Sequence, residues 1–233
     1  MRTISNILTA VALSAIAILP PAIAQEEGPP QVCFVRIVNA VAAGEGNTRF
    51  EIDGEDIFPK GYKLGQRTGG FGLKAGSHSI KILKDGVEPG TTKVDLKTGE
   101  TMSLIGFAEK LPPKKGEEDK PPVFTTRILR LKQSDPERGY RMTIVSVSSK
   151  DQVEVQAAIQ GKGSVEKAFA KRLATTSVDL GRSRGEVLVK VGDEIVTTLS
   201  PEDPGNYVVV LYDDPDGNVK AISFFDPKFV IAG

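Results

Sequence analysis

The stretch Gly70-Phe71-Gly72-Leu73-Lys74-Ala75-Gly76-Ser77-His78-Ser79-Ile80-Lys81-Ile82-Leu83-Lys84-Asp85-Gly86-Val87 decides the architecture. Successive side chains of a strand alternate between faces, so beyond Gly76 the residues His78, Ile80 and Ile82 share one face and Ser77, Ser79 and Lys81 the other. Asp85-Gly86 then closes a hairpin, because glycine supplies the positive φ of a tight turn. The same syntax returns in the second half of the chain. There Gly185 precedes Val187, Val189 and Val191 on one face, with Glu186, Leu188 and Lys190 opposite, and Gly192-Asp193 turns the chain.

Three further anchors flank this pair in the same order. Residues 32–39, with Cys33, Val35 and Ile37 on one face, match 141–147, and Phe50-Glu51-Ile52-Asp53-Gly54 matches Ala157-Ala158-Ile159-Gln160-Gly161. Residues 98–107 match 204–212, with Gly99 aligned to Gly205 and Gly76 to Gly185. A nearly constant offset over successive anchors marks an internal duplication. Short strands, turns every 8 to 12 residues and no long amphipathic helix point to an all-β chain of two tandem immunoglobulin-like β-sandwich domains.

The duplication also places two ambiguous segments. Residues 110–122 (Lys-Leu-Pro-Pro-Lys-Lys-Gly-Glu-Glu-Asp-Lys-Pro-Pro) have the composition of an interdomain linker. The second half carries only a short Asp-Pro-Asp-Gly turn at that place, so 110–122 is expected to be a long hairpin loop inside the first domain. The junction then falls at 132–139, with Ser134-Asp135-Pro136. In 164–174 the apolar Val165, Phe169 and Leu173 recur at helical spacing behind Ser164. Its counterpart, 54–66, contains Pro59, Gly61 and Gly65, so extended structure is expected in both, with one helical turn allowed in the second.

At the start of the chain, Arg2, an apolar run over residues 7–19 and Ala22-Ile23-Ala24 form the pattern of a cleaved secretory signal. A membrane anchor would need about 20 apolar residues, and Pro20-Pro21 interrupts this run. The expected organisation is a signal peptide at 1–24, a polar leader at 25–31, one sandwich at 32–133 and another at 139–230. The mature chain is then expected to be exported, periplasmic or secreted, with no membrane span.

The chain holds 30 basic and 30 acidic residues, and Arg2 is the only charge in the signal segment. Such neutrality supplies no footprint for nucleic acid or an anionic membrane. One cysteine, Cys33, forms no internal disulfide, so export brings no disulfide framework. On the apolar face of its strand Cys33 reads as a small buried hydrophobe, with no helix start or nearby histidine to activate it.

Other motifs weigh in the same direction. Gly70-Phe71-Gly72-Leu73-Lys74-Ala75 has the letters of a dinucleotide fingerprint, but that fingerprint must open a helix and here a strand follows. His78 is the only histidine. It shares a face with Ile80 and Ile82, which makes it a structural side chain before a member of a triad. A single Cys and a single His exclude a Cys/His zinc site by count. The acidic clusters Glu51, Asp53, Glu55, Asp56 and Asp213, Asp214, Asp216, Asn218 lack the ligand spacing of a helical calcium loop and suit hairpin turns. No catalytic, cofactor-binding or metal-binding residues are assigned. Tyr62 and Tyr212 are the candidates for polymer or partner contact.

On Val35-Arg36-Ile37-Val38-Asn39-Ala40, Leu73-Lys74-Ala75-Gly76-Ser77-His78 and Gly99-Glu100-Thr101-Met102-Ser103-Leu104, the chain resembles a bacterial family of exported tandem β-sandwich domains of unknown function. In layout it is also similar to the periplasmic accessory proteins of alginate O-acetylation. The resemblance implies a non-catalytic adaptor. The expected function is therefore a non-enzymatic cell-envelope binding or scaffold module for a protein partner. The alternative is a polysaccharide-associated accessory protein whose loops contact sugar.

Overall fold

Strands and turns account for the regular structure throughout the computed structural model, which describes residues 32–113, 115–116, 119–133, 139–161, 163–181 and 185–227, with no helix among them. The expected signal peptide and leader, residues 134–138 of the junction and 228–230 of the second expected domain lie outside the described residues. In the first half the strands are β1 (Val32–Ala40), β2 (Glu45–Ile52), β3 (Glu55–Asp56), β4 (Phe71–Lys74), β5 (Gly76–Asp85), β6 (Val87–Leu96), β7 (Thr101–Lys110) and β8 (Phe124–Lys132). The second half has β9 (Tyr140–Ser146), β10 (Gln152–Ile159), β11 (Val165–Lys171), β12 (Thr175–Gly181), β13 (Val187–Val191), β14 (Glu194–Leu199), β15 (Gly205–Asp213) and β16 (Val219–Asp226).

The strand order repeats. The first half runs β3-β2-β5-β6 and then, across one parallel pair Glu88↔Thr125, β8-β7-β1-β4. The second half has β11-β10-β13-β14 and β12-β9-β15-β16 as separate sheets. In each half the opening strand lies parallel to the seventh, β1 beside β7 and β9 beside β15. The extra pairing in the first half rests on Gly90, where an added Cβ would stand 1.8 Å from the carbonyl oxygen of Thr126. Only a residue without a side chain lets β6 and β8 approach that closely.

Each half folds its alternating strands around its own core. Phe50 and Ile52 of β2, Ile80 and Ile82 of β5 and Val94 of β6 meet Val35, Ile37 and Leu104 in the first half. Val153, Val155 and Ala157 of β10 and Val187 and Val189 of β13 meet Met142, Ile144, Val209 and Leu211 in the second. Gly106 on β7 admits the Phe50 ring, which would lie 2.7 Å from a Cβ there.

A third core joins the halves. Val38, Ala40, Ile105, Phe107 and Leu131 from the first half pack with Val145, Val147, Val208, Val210, Ile222 and Phe224 from the second. Strands β1, β7, β9 and β15 are thus buried on both faces, and the described residues between 32 and 227 form one compact unit. Between the cores of the two halves the structure thus places a third. The reason is visible in runs such as Val208-Val209-Val210-Leu211, which are apolar without alternation, as strands covered on both sides must be.

One buried ion pair pins the junction. Arg36 on β1 donates to Asp226 on β16 at 3.0 Å, with side chains only 6% and 3% exposed. The guanidinium also lies 4.7 Å from the Phe224 ring centroid. Gln133 donates through Nε2 to the carbonyls of Asp226 and Pro227. Burial pushes the Asp226 carboxyl above its ordinary value, and Arg36 opposes that push. Desolvating two charges costs several kcal/mol, so such a pair registers the halves more than it strengthens them.

The register corrects the internal alignment at two places. β5 meets β2 at Ile80↔Ile52 and β13 meets β10 at Val187↔Ile159, so Ile80, not His78, is the equivalent of Val187. Similarly, Met102 pairs with Val35 and Tyr207 with Met142, which makes Met102 the counterpart of Tyr207 and moves the Gly99–Gly205 match by one residue. A slip of one would turn a core residue toward the opposite face. β7 and β8 form an antiparallel hairpin whose last pair is Lys110↔Phe124, and residues 114, 117 and 118 of the expected 110–122 loop lie outside the described residues. Residues 165–171 are strand: Val165 and Phe169 are exposed, and the turn after β11 carries Leu173 at φ 56° instead of a helical turn.

Candidate binding cleft at the junction of the halves

The C-terminal ends of β1, β7, β9 and β15 open into one cleft of about 720 Å³. The β1–β2 loop contributes Ala42, Ala43 and Gly44, and the β7–β8 hairpin contributes Ala108, Glu109, Lys110 and Phe124. From the second half come Ser149 and Asp151, then Arg172, then Asp213, Asp214 and Pro215 of the β15–β16 turn. Small apolar side chains form much of the wall, and charged groups stand around it.

Those charges are organised. Glu109 accepts from Arg172 at 2.9 Å and from Arg127 at 3.0 Å, and the first of these bonds crosses from one half to the other. Arg172 first, and Arg127 after it, hold the Glu109 carboxyl below its usual range against a partial cost of burial. Arg172 is fixed from below: its N–H donates to the Asp151 carbonyl and that of Leu173 donates to the Ser146 carbonyl, each at 2.8 Å. Leu173, next along the chain, has a left-handed backbone at φ 56°, a conformation leucine rarely adopts.

Both aspartates of the β15–β16 turn serve their own loops. Asp213 accepts from the Ser148 hydroxyl and the Ser149 N–H, each at 2.6 Å. Asp214 accepts from the N–H groups of Asp216 and Asn218 at 3.0 and 2.8 Å. Partial desolvation pushes its carboxyl up, and the bonds from Asn218 and Asp216 outweigh that and hold it below the ordinary value. Among the described residues no group of three or more His, Cys, Asp or Glu side chains is arranged to hold a metal ion. The cleft thus combines carboxylates fixed by hydrogen bonds and one buttressed arginine with a small apolar floor.

The residues singled out by sequence lie elsewhere. Tyr62 is half-buried, its ring 5.8 Å from Phe50 and 5.2 Å from Phe58, and burial raises its phenol. Tyr212 packs half-buried against the junction core, with its hydroxyl 3.7 Å from where a Cβ on Gly65 would stand. Burial, and then the Asp214 charge, push its phenol up. Neither tyrosine lines the cleft. Cys33 is buried and donates to the Leu73 carbonyl at 3.2 Å, and burial raises its thiol. The glycine-rich letters of 70–75 include the strand β4, which pairs with β1.

Glu109 and Arg172 carry no motif in the sequence. Their meeting depends on how the halves dock, and the only sequence signal for that docking is the non-alternating apolar character of the four central strands. The chain matches no family model and no curated protein.

Proposed function

We propose that this chain is a non-enzymatic protein of the cell envelope, exported behind residues 1–24 and built from two tandem immunoglobulin-like β-sandwiches, that receives a segment of a protein partner in the junction cleft. The observation that carries this reading is that loops from both halves build the cleft around one cross-half pair, Glu109–Arg172. A scaffold of this kind presents a preformed surface, and preformed surfaces bind with a smaller ordering cost. The resemblance to exported tandem β-sandwich domains points the same way.

A photo-crosslinking residue at Ala43, in the full chain in its native host, tests the reading. It is expected to give one discrete protein adduct that is absent from the same probe at Ser77 and is displaced by Ala108→Trp. Turnover of a substrate by the purified chain, lost in Glu109→Gln, would overturn it. The polysaccharide-associated alternative draws support from Phe58, which is 40% exposed beside Tyr62 and presents an aromatic face. Polymer binding abolished by Phe58→Ala would favour that alternative.

A further inference from the structure

His78 stands where the chain crosses between facing sheets of the first half, since β4 pairs with β1 and β5 pairs with β2. Its ring Nδ1 is 2.7 Å from Asp53 Oδ2 and its Nε2 is 2.7 Å from the Lys74 carbonyl. A carbonyl oxygen only accepts, and an ionised carboxylate only accepts. A neutral imidazole has a single N–H and satisfies one of these contacts, leaving the other as two lone pairs in apposition. We propose that His78 is a pH-gated clip: its doubly protonated ring ties the β4–β5 crossover to the β2–β3 turn, and loss of one proton opens that tie.

The surroundings are built for the cation. Asp53 is held in place by a second bond, accepting from the Ser79 N–H at 2.7 Å through Oδ1, while its own N–H donates to the Ser79 carbonyl at 2.8 Å. Gly54, at φ 88°, follows Asp53, at φ 53°, in the two-residue turn that aims the carboxylate at the ring. From β6 the residue opposite His78 is Val94, and its charged neighbours Lys93 and Asp95 alternate to the other face. From the β2–β3 hairpin the charged residues are Asp53 and Glu55, and from β4 Lys74 offers its carbonyl. Among the described residues Asp53 is thus the only charged side chain with a bond to the ring.

The His78 side chain is 12% exposed, so the ring is sheltered without being sealed from protons. The Lys74 carbonyl raises its pKa most; burial opposes that, and the Asp53 hydrogen bond and charge add to the rise, leaving the ring above its ordinary value. A folded value above the unfolded value of about 6.5 makes this stabilisation complete below that pH. It is then lost as pH rises through the folded value. The second half has Gly185 at the equivalent position, so the clip belongs to the first half alone.

His78 is the only histidine, so its ring signals in an NMR titration of the full chain need no assignment by mutation. The expected result is a midpoint above 6.5 with both nitrogens protonated below it, moved downward in Asp53→Asn. The protection factor of the Ser79 amide, its exchange rate relative to the base-catalysed rate of an open amide at each pH, is expected to fall several-fold across the same midpoint and to lose that pH dependence in His78→Gln. A midpoint at or below 6.5, a neutral-tautomer signature at pH 6, or a Ser79 protection factor that ignores the midpoint would overturn the proposal. The titration of the unaltered chain decides it even if a variant fails to fold.

Discussion

The sheets at the junction and the sheets on the outside of each half obey different sequence rules. On the outer strand β10, Val153, Val155, Ala157 and Ile159 are buried, while Glu154 between them is exposed and Gln156 and Ala158 are partly so. On the junction strand β15, residues 206–211 are buried without interruption. A two-period pattern therefore marks a strand with one wet face, and its loss marks a strand enclosed by two cores. Duplication alone would have given two independent bodies. The apolar character of the facing sheets converts them into one.

The contrast can be broken most severely in the junction layer. Phe224→Ala removes a ring packed on both Arg36 and the shared core, and is expected to cost about 3–5 kcal/mol, measured by urea unfolding. Asp226→Ala leaves Arg36 buried without its partner and is expected to cost about 3–5 kcal/mol as well. Replacing both together, with Arg36→Met and Asp226→Leu, is expected to recover most of that loss, because the desolvation cost disappears with the charges. Equal losses in the single and double variants would contradict a registering role.

An effect of intermediate size is expected at the cleft. The folded Glu109 carboxyl lies below its unfolded value of about 4.3, so its contribution is present above that pH and lost as pH falls through the folded value. Glu109→Gln is expected to flatten the fall in Tm between pH 5 and pH 3 relative to the unaltered chain, by a thermal-melt series. The smallest effect belongs to the outer face of the first half. There Lys81 and Glu51 are 3.7 Å apart, and Lys81→Ala is expected to change stability by less than about 1 kcal/mol, because exposed pairs are screened.

Much of the fold was legible in the sequence because turns and alternation are local properties. Asp85-Gly86 and Gly192-Asp193 lie at the turns that the pattern marks, and the strands flanking the charged 110–122 stretch pair as a hairpin. The sequence pattern and the strand register disagree where the matching residue is a turn glycine, at Gly76 and Gly99. Turn glycines tolerate a shift that buried residues such as Ile80 and Met102 do not. The cleft was not legible at all. Glu109 and Arg172 sit at strand ends with ordinary neighbours, and only the docking of the halves brings them together. Tyrosine side chains suit contact with a partner or polymer, and packing in the fold covers much of the surface of Tyr62 and Tyr212.

Calorimetric unfolding of the chain tests the shared junction core most directly. If the two halves are one cooperative body, a single transition is expected, with calorimetric and van't Hoff enthalpies equal and the whole transition displaced downward by Phe224→Ala. Two separable transitions, with Phe224→Ala moving only the one that belongs to the second half, would contradict it.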